Sequence, residues 1–232
     1  MFYKPVIDLF VEYITNNFSK EIHIINFLST LTQNLINPHL WFPEARLIKR
    51  KIFVHIGKPN SGKTTFTLKL LENAEKGIFL TNNKHLSYEI YETLKNTKKC
   101  DFFSEECHYL DKESTHSSCI IGMCDLSKSY KLAVIDEFHL ISDKINGFTY
   151  TNAILGLNCE EIHICIEEFQ KNLIKKLCSI TGDEIEIINH YRKSDIEFDR
   201  EIVQSVSRLK IGDCIVAKNF EEMIEIKKVK IK

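Results

Sequence analysis

The chain has 232 residues, 44% of them apolar and 27% charged, with a formal net charge of −1. That size and balance describe a globular chain that buries a real core, and they exclude a nucleic-acid binder held by its global field. Eight cysteines without a C-x-x-C pair exclude a disulfide scaffold, and no run approaches the ~20 apolar residues of a membrane span.

Residues 6–36 carry apolar positions at helical spacing: Ile7, Phe10, Val11 and Ile14, then Ile24, Phe27, Leu28 and Leu31. This predicts two helices packed beside the main domain. The first residues have no long apolar core for secretion and few Arg or Ser for a transit peptide, which leaves targeting unresolved. Pro38 and Pro43 bracket a turn holding Trp41. From there strands and helices alternate, which predicts a parallel sheet. Strands are expected at 52–56, 77–81, 131–135, 161–166, 184–188 and 213–217, and helices at 63–74, 84–96, 149–156, 168–178, 195–209 and 219–228. Residues 98–128 resist assignment apart from a short strand near Cys119–Ile121. His116, Cys119 and Cys124 lack zinc-site spacing, so no zinc is expected.

Residues 57–64, Gly-Lys-Pro-Asn-Ser-Gly-Lys-Thr, fit the phosphate-loop pattern G-x-x-x-x-G-K-[ST], between a strand and a helix. Gly57 and Gly62 let the backbone turn tightly and approach a ligand. Main-chain N–H groups and the helix start then form an anion site, with Lys63 on the β- and γ-phosphates and Thr64 on Mg²⁺. The expected ATP contacts are Gly57, Lys58, Pro59, Asn60, Ser61, Gly62, Lys63, Thr64 and Thr65. The apolar run Leu132–Ile135 ends in Asp136 and Glu137. A strand ending so at a ligand-binding sheet edge gives Asp136 to Mg²⁺ and Glu137 to the attacking water. After Thr181–Glu184 the alternation restarts, which reads as the opening of a second domain, the alternative being that these elements extend the first sheet.

With these motifs placed, the chain resembles the mitochondrial degradosome RNA helicases, the suppressor-of-var type of superfamily-two DExH helicase, over about residues 37–220. The segments that carry the resemblance are Trp41–Arg46, Arg50–His55, the loop with its Pro59-Asn60-Ser61 centre, His116–Cys119 with Met123-Cys124, and Ala133–Glu137. Thr151–Leu157, Glu161–Cys165, Thr181–Glu186 and Gly212–Ala217 complete the set. The resemblance implies a RecA-like P-loop fold: an N-terminal helical segment at 1–45, a first RecA-like domain at 46–181, and the start of a second at 182–232. It implies ATP-dependent helicase action on RNA with Mg²⁺, an exoribonuclease partner, and a mitochondrial address, otherwise cytoplasmic or nuclear. It counts Lys63, Glu137 and His139 as catalytic, and assigns RNA contact to Lys84, Ser87, Ser104 and His116. Gly156-Leu157 and Glu161–His163 match the segment that couples hydrolysis to strand movement.

Several departures matter. Lys58-Pro59 replaces Pro-Thr, Asn82-Asn83 stands for Gly-Pro, Gly122 replaces an acidic residue, and His139 stands where the family often has Gln. The arginines that reach the γ-phosphate across the cleft have no counterpart before Lys232. The expectation is therefore a core that binds ATP·Mg²⁺ but needs a second domain for turnover. The alternative is a non-catalytic nucleotide- or RNA-binding scaffold. A small-molecule kinase is disfavoured because no Arg-rich lid segment is present.

Overall fold

A continuous apolar strand followed by an amphipathic helix recurs along the chain, and each repeat adds a parallel strand to one sheet. The computed structural model describes residues 3–192, 212–217 and 219–228. Its contacts divide the chain into two units, Met1–Lys193 and Ser194–Lys232. The first unit holds strands β1 (Lys51–Ile56), β2 (Gly77–Thr81), β3 (Cys100–Phe103), β4 (His108–Tyr109), β5 (His116–Ile120), β6 (Ser129–Ile135), β7 (Asn158–Ile166) and β8 (Glu184–Asn189). They lie in the order β4-β3-β5-β2-β6-β7-β1-β8, parallel throughout except for the short antiparallel β4.

Strands β2 and β5 are buried at every residue, as a parallel sheet covered on both faces requires. On one face, Leu71, Phe79, Ile90, Leu94, Leu132 and Val134 form a cluster beneath α4 (Lys63–Asn73) and α5 (Lys84–Leu94). On the other, Ile52, Val54, Ala133, Ile135, Ile162 and Ile164 pack with residues of α6 (Gly147–Gly156) and α7 (Lys171–Thr181). Side chains alternate between the faces along each strand, so adjacent positions such as Ala133 and Val134 feed different clusters.

Before the sheet come α1 (Tyr3–Asn17), α2 (Ser19–Ile36) and the short α3 (Pro43–Leu47). The first two helices form where the spacing predicts. Most of their described apolar side chains remain exposed, however, with Ile14 and Ile22 half-buried: Phe10 is 61% and Phe27 66% accessible. The expected packing beside the main domain is therefore not seen for these exposed side chains. No helix among the described residues is long and apolar enough to cross a membrane.

The boundary expected at 181/182 falls inside the first sheet. Strand β8 pairs with β1 over its whole length, from Lys51↔Glu184 to Ile56↔Asn189. An apolar-alternating segment with an open strand edge beside it is captured by that edge rather than starting a new sheet. The expected helix at 195–209 lies outside the described residues. In the second unit, 212–217 carry no strand pairing, and α8 (Phe220–Lys228) occupies the helix expected at 219–228. A strand at 213–217 would need a ladder partner, and none exists among the described residues of that unit.

Two buried polar devices tie the strands together. At their amino ends, Arg50, 2% exposed, donates from Nε to Asp183 Oδ1 at 2.9 Å and from Nη2 to Asp183 Oδ2. Its Nη1 reaches the carbonyls of Ile154 (2.9 Å) and Leu157 (3.2 Å). Burial alone would raise the Asp183 pKa, but the Arg50 and Thr181 hydrogen bonds hold it below the ordinary carboxylate value. Under α4, the rings of His190, His55 and His163 form a chain. His55 Nδ1 lies 2.9 Å from His190 Nε2, and His55 Nε2 lies 2.9 Å from His163 Nδ1. Phe53 stacks on His163 with ring centres 4.7 Å apart. Burial pushes His55 down to about 3 and His163 to about 4, so both are neutral at pH 7.

Asp183→Asn leaves the Arg50 guanidinium buried without its counter-charge and is expected to cost about 3–5 kcal/mol in urea unfolding. The histidines set a separate acid limb. Their folded pKa values lie below the unfolded value of about 6.5, so the unfolded chain binds more protons as pH falls from there toward about 4. Stability is therefore expected to drop between pH 7 and pH 5. His163→Phe should start lower yet lose less over that interval, and a flat profile for the unaltered chain would contradict the assignment.

Candidate functional site

The carboxyl ends of β1 and β6 converge on one point. Strand β1 stops at Ile56, and Gly57 N–H donates to the carbonyl of Ile166 on β7 (3.3 Å). The loop then curls so tightly that a Cβ on Gly57 would lie 2.4 Å from Ser61 Oγ. Gly62 closes the curl in the left-handed region, at φ 82°, and caps α4 without any side-chain hydrogen bond. Any residue with a Cβ would be strained there. The first amides of α4 thus point out of the loop without a side-chain acceptor, the arrangement that suits an anion.

Inside the curl, Lys63 Nζ donates to the carbonyl oxygens of Gly57 (2.6 Å) and Lys58 (3.0 Å). Ser61 Oγ is buried with no partner. One residue on, Thr64 Oγ1 donates to Asp136 Oδ2 at 2.6 Å. The other Asp136 oxygen accepts from Glu137 N–H at 2.8 Å. Glu137 adopts φ 52°, rare for a residue with a side chain and worth about 1 kcal/mol of strain. Its Oε2 accepts from Thr81 Oγ1 at the end of β2, at 2.8 Å. Beneath, burial and the Asp136 carboxylate hold the Cys165 thiol well above its ordinary pKa.

Lys63, Thr64, Asp136 and Glu137 therefore come together. Lys58, Pro59 and Asn60 form the exposed outer rim, and Thr65 is exposed on the first turn of α4. His139 sits in a 3₁₀ turn, Phe138–Ser142, anchored by the buried Phe138, with its own side chain exposed. Among the described residues no hydrogen bond joins it to Asp136 or Glu137.

Of the residues assigned to RNA contact, three have buried side chains with partners inside the fold. Ser87 and Ser118 bridge α5 to β5: their hydroxyls are 3.0 Å apart, and Ser118 Oγ also donates to Ser87 O at 2.6 Å. Ser104 is buried, its Oγ bonded within the turn to Cys107. His116, 1% exposed, opens β5 at the amino end of the sheet, with Nε2 2.9 Å from Leu71 O. Each side chain is consumed by packing. Only Lys84 faces solvent, paired with Glu106.

Sequence reasoning missed the histidine chain and the segment behind the loop, where Arg192 Nε donates to Pro59 O at 2.6 Å. Glu161–His163 carried a signal, but only the register Phe53↔His163 reveals which residue it meets. Among the described residues, no group of three or more His, Cys, Asp or Glu is placed to hold a metal ion.

A family model described as the DEXQ-box helicase domain of Suv3 matches residues 38–191. A mitochondrial ATP-dependent RNA helicase SUPV3L1 of Danio rerio is 40% identical over 184 residues, covering 77% of this chain and 24% of the relative. The mitochondrial helicase DExH16 of Arabidopsis thaliana is 34% identical and covers 84% of this chain and 34% of the relative. The mitochondrial SUV3 of Candida albicans is 35% identical and covers 94% and 30%. The chain thus spans about a quarter to a third of the length of these relatives. A DEAD box protein of Methanococcus jannaschii superposes with a TM-score of 0.42 at 15% identity, over 60% of this chain and 45% of that one. That likeness is too low to carry the assignment. The family match covers the loop, the acidic pair and all eight strands, and the chain belongs to the Suv3 family of DEXQ-box helicase domains.

Proposed function

We propose that this chain is the nucleotide-binding core of an ATP-dependent RNA helicase that works in mitochondria. One observation carries the reading. The Thr64 hydroxyl and the Asp136 carboxylate lie 2.6 Å apart, with Lys63 beside them. Two hard oxygens gathered beside the phosphate loop suit Mg²⁺, which takes few protein ligands and completes its shell with water and phosphate. The orphaned Ser61 Oγ and the uncapped start of α4 suit phosphate oxygens. When bound, Mg·ATP supplies an electrophilic γ-phosphoryl group.

The chain's own residues do the rest. Lys63 leaves the Gly57 and Lys58 carbonyls and turns to the β- and γ-phosphates. Thr64 and Asp136 would hold the metal, which would neutralise charge developing on the phosphates. Glu137, fixed by Thr81, orients a water and accepts its proton. Lys84 offers an ammonium to the RNA backbone, since its exposed pairing with Glu106 is weak and easily exchanged. The RNA substrate and the mitochondrial address extend to this chain what the relatives' names say of them.

Among the described residues one arginine meets the loop, and its Nε is engaged by Pro59. Turnover therefore draws on a second RecA-like unit, whose arginine is worth ~10³–10⁵ in rate in phosphoryl transfer. In calorimetric titration the 232-residue chain is expected to bind an ATP analogue in a Mg²⁺-dependent way. Asp136→Asn should remove the metal dependence, and Lys63→Ala should weaken binding at least tenfold. Glu137→Gln should leave affinity intact and lower any residual turnover by about 10²–10⁴. Absence of Mg²⁺-dependent binding would favour the scaffold reading, and fast RNA-stimulated hydrolysis by this chain alone would refute the need for a second unit.

A further inference from the structure

We infer that His190 and Arg192, in the segment leaving β8, are positioning residues that keep the first half of the phosphate loop in its binding shape. The inference rests on the nucleotide reading above. The His190 N–H donates to Ile56 O at 2.7 Å, carrying the β1–β8 ladder up to the loop's first residue. A Cβ on Gly57 would lie 2.6 Å from His190 O and 3.1 Å from His190 Cβ, so the two backbones are in close contact. Two residues on, Arg192 Nε donates to Pro59 O at 2.6 Å.

The loop's other support is internal, and binding removes it. In the free protein Lys63 bridges the Gly57 and Lys58 carbonyls. Once its ammonium turns to phosphate, those carbonyls lose their donor and the curl loses its brace. The bonds from His190 and Arg192 go to the Ile56 and Pro59 carbonyls, which Lys63 does not use, so they do not depend on where its ammonium points. They are therefore the contacts that persist in the bound state.

His190 is itself firmly seated. Its ring is linked to His55 on β1, and through it to His163 on β7. It meets Phe66 of α4 edge-on, with ring centres 5.3 Å apart. The titratable groups facing this assembly are Lys63 from α4 and Glu161, 3.8 Å from His163 Nε2, from β7. Strand β8 thus delivers a rigid end to the loop, and Arg192 extends it by one side chain.

The test is the dissociation constant of Mg·ATP, Mg·ADP and inorganic triphosphate for the unaltered chain, Arg192→Met, Arg192→Lys and His190→Ala, with a urea midpoint for each. A positioning role raises all three constants by a similar factor, about tenfold for Arg192→Met. Arg192→Lys, which keeps a donor, recovers most of the affinity, and the urea midpoint of Arg192→Met stays close to that of the unaltered chain. A loss confined to ATP and ADP would place Arg192 on the base or sugar and overturn the inference. Unchanged constants with a lowered midpoint would reduce the contact to a structural one and overturn it equally. Should the unaltered chain fail to bind Mg·ATP, the nucleotide reading falls first and this inference with it.

Discussion

The hydrogen bond from Thr64 to Asp136 joins two strands that are not neighbours. Strands β1 and β6 are separated by β7 in the sheet, so the loop after one and the carboxylates after the other meet only by reaching over the end of β7. The topology makes the crevice they share. The chain leaves β1 through α4 on one face to reach β2, and leaves β7 through α7 on the opposite face to reach β8. Connections that part in opposite directions open a gap beyond the strand ends, the place where ligands bind in open α/β sheets. The site is thus a consequence of strand order as much as of motif.

Much of this was legible in the residues, for identifiable reasons. Strands β2 and β6 read as near-continuous apolar runs, and β1 and β7 as apolar runs interrupted by His55 and His163. The loop and the acidic pair follow them directly, so placing the strands placed the motifs. The outer half of the sheet was illegible because its strands are short and carry buried polar residues. Asp101 takes the Asp111 N–H at 2.8 Å, and Ser118 is satisfied by Ser87 on α5. Such partners lie 10 to 31 positions away, beyond any local pattern. For the same reason the burial of the Ser87, Ser104 and His116 side chains was not legible. A resemblance between segments transfers the segment, not the direction of each side chain, and burial decides that direction. Strand β8 was expected in its place but in the wrong sheet, because periodicity fixes a strand without choosing its neighbour.

The free loop is already charged for exchange. Lys63 sits on main-chain carbonyls rather than in water, so turning it toward phosphate replaces neutral acceptors by anionic ones, and charge-assisted bonds are roughly twice as strong. Thr64 and Asp136 hold each other in the same provisional way. Each group that the proposed function needs is kept close to its working position by a partner it can abandon. Glu137 differs. Its left-handed backbone is a fixed cost, held by Thr81 and the buried Phe138, and strain of this kind persists only where surrounding structure over-determines it.

The two ends of the sheet divide the work. At the amino ends, Arg50 and Asp183 are buried as a pair with every nitrogen of the guanidinium head bonded to a carboxylate or carbonyl, an arrangement that fixes geometry and tolerates no one-sided change. At the carboxyl ends, polar groups are left orphaned or only provisionally partnered. Strand β8 connects the two regimes. Its first residues are tied to β1 through the Arg50–Asp183 pair and the Glu184 N–H on Arg50 O at 3.1 Å, and its last pass directly into the segment that grips the phosphate loop. A disturbance at Asp183 therefore has a physical route to the loop along one strand, through a continuous ladder of main-chain hydrogen bonds rather than through loosely packed side chains. That route is rigid only while β8 stays registered on β1. The edge strand also carries exposed Glu184 and Glu186, paired with Lys49 and Lys51, charges that discourage another chain from pairing with its open side and pulling it off β1.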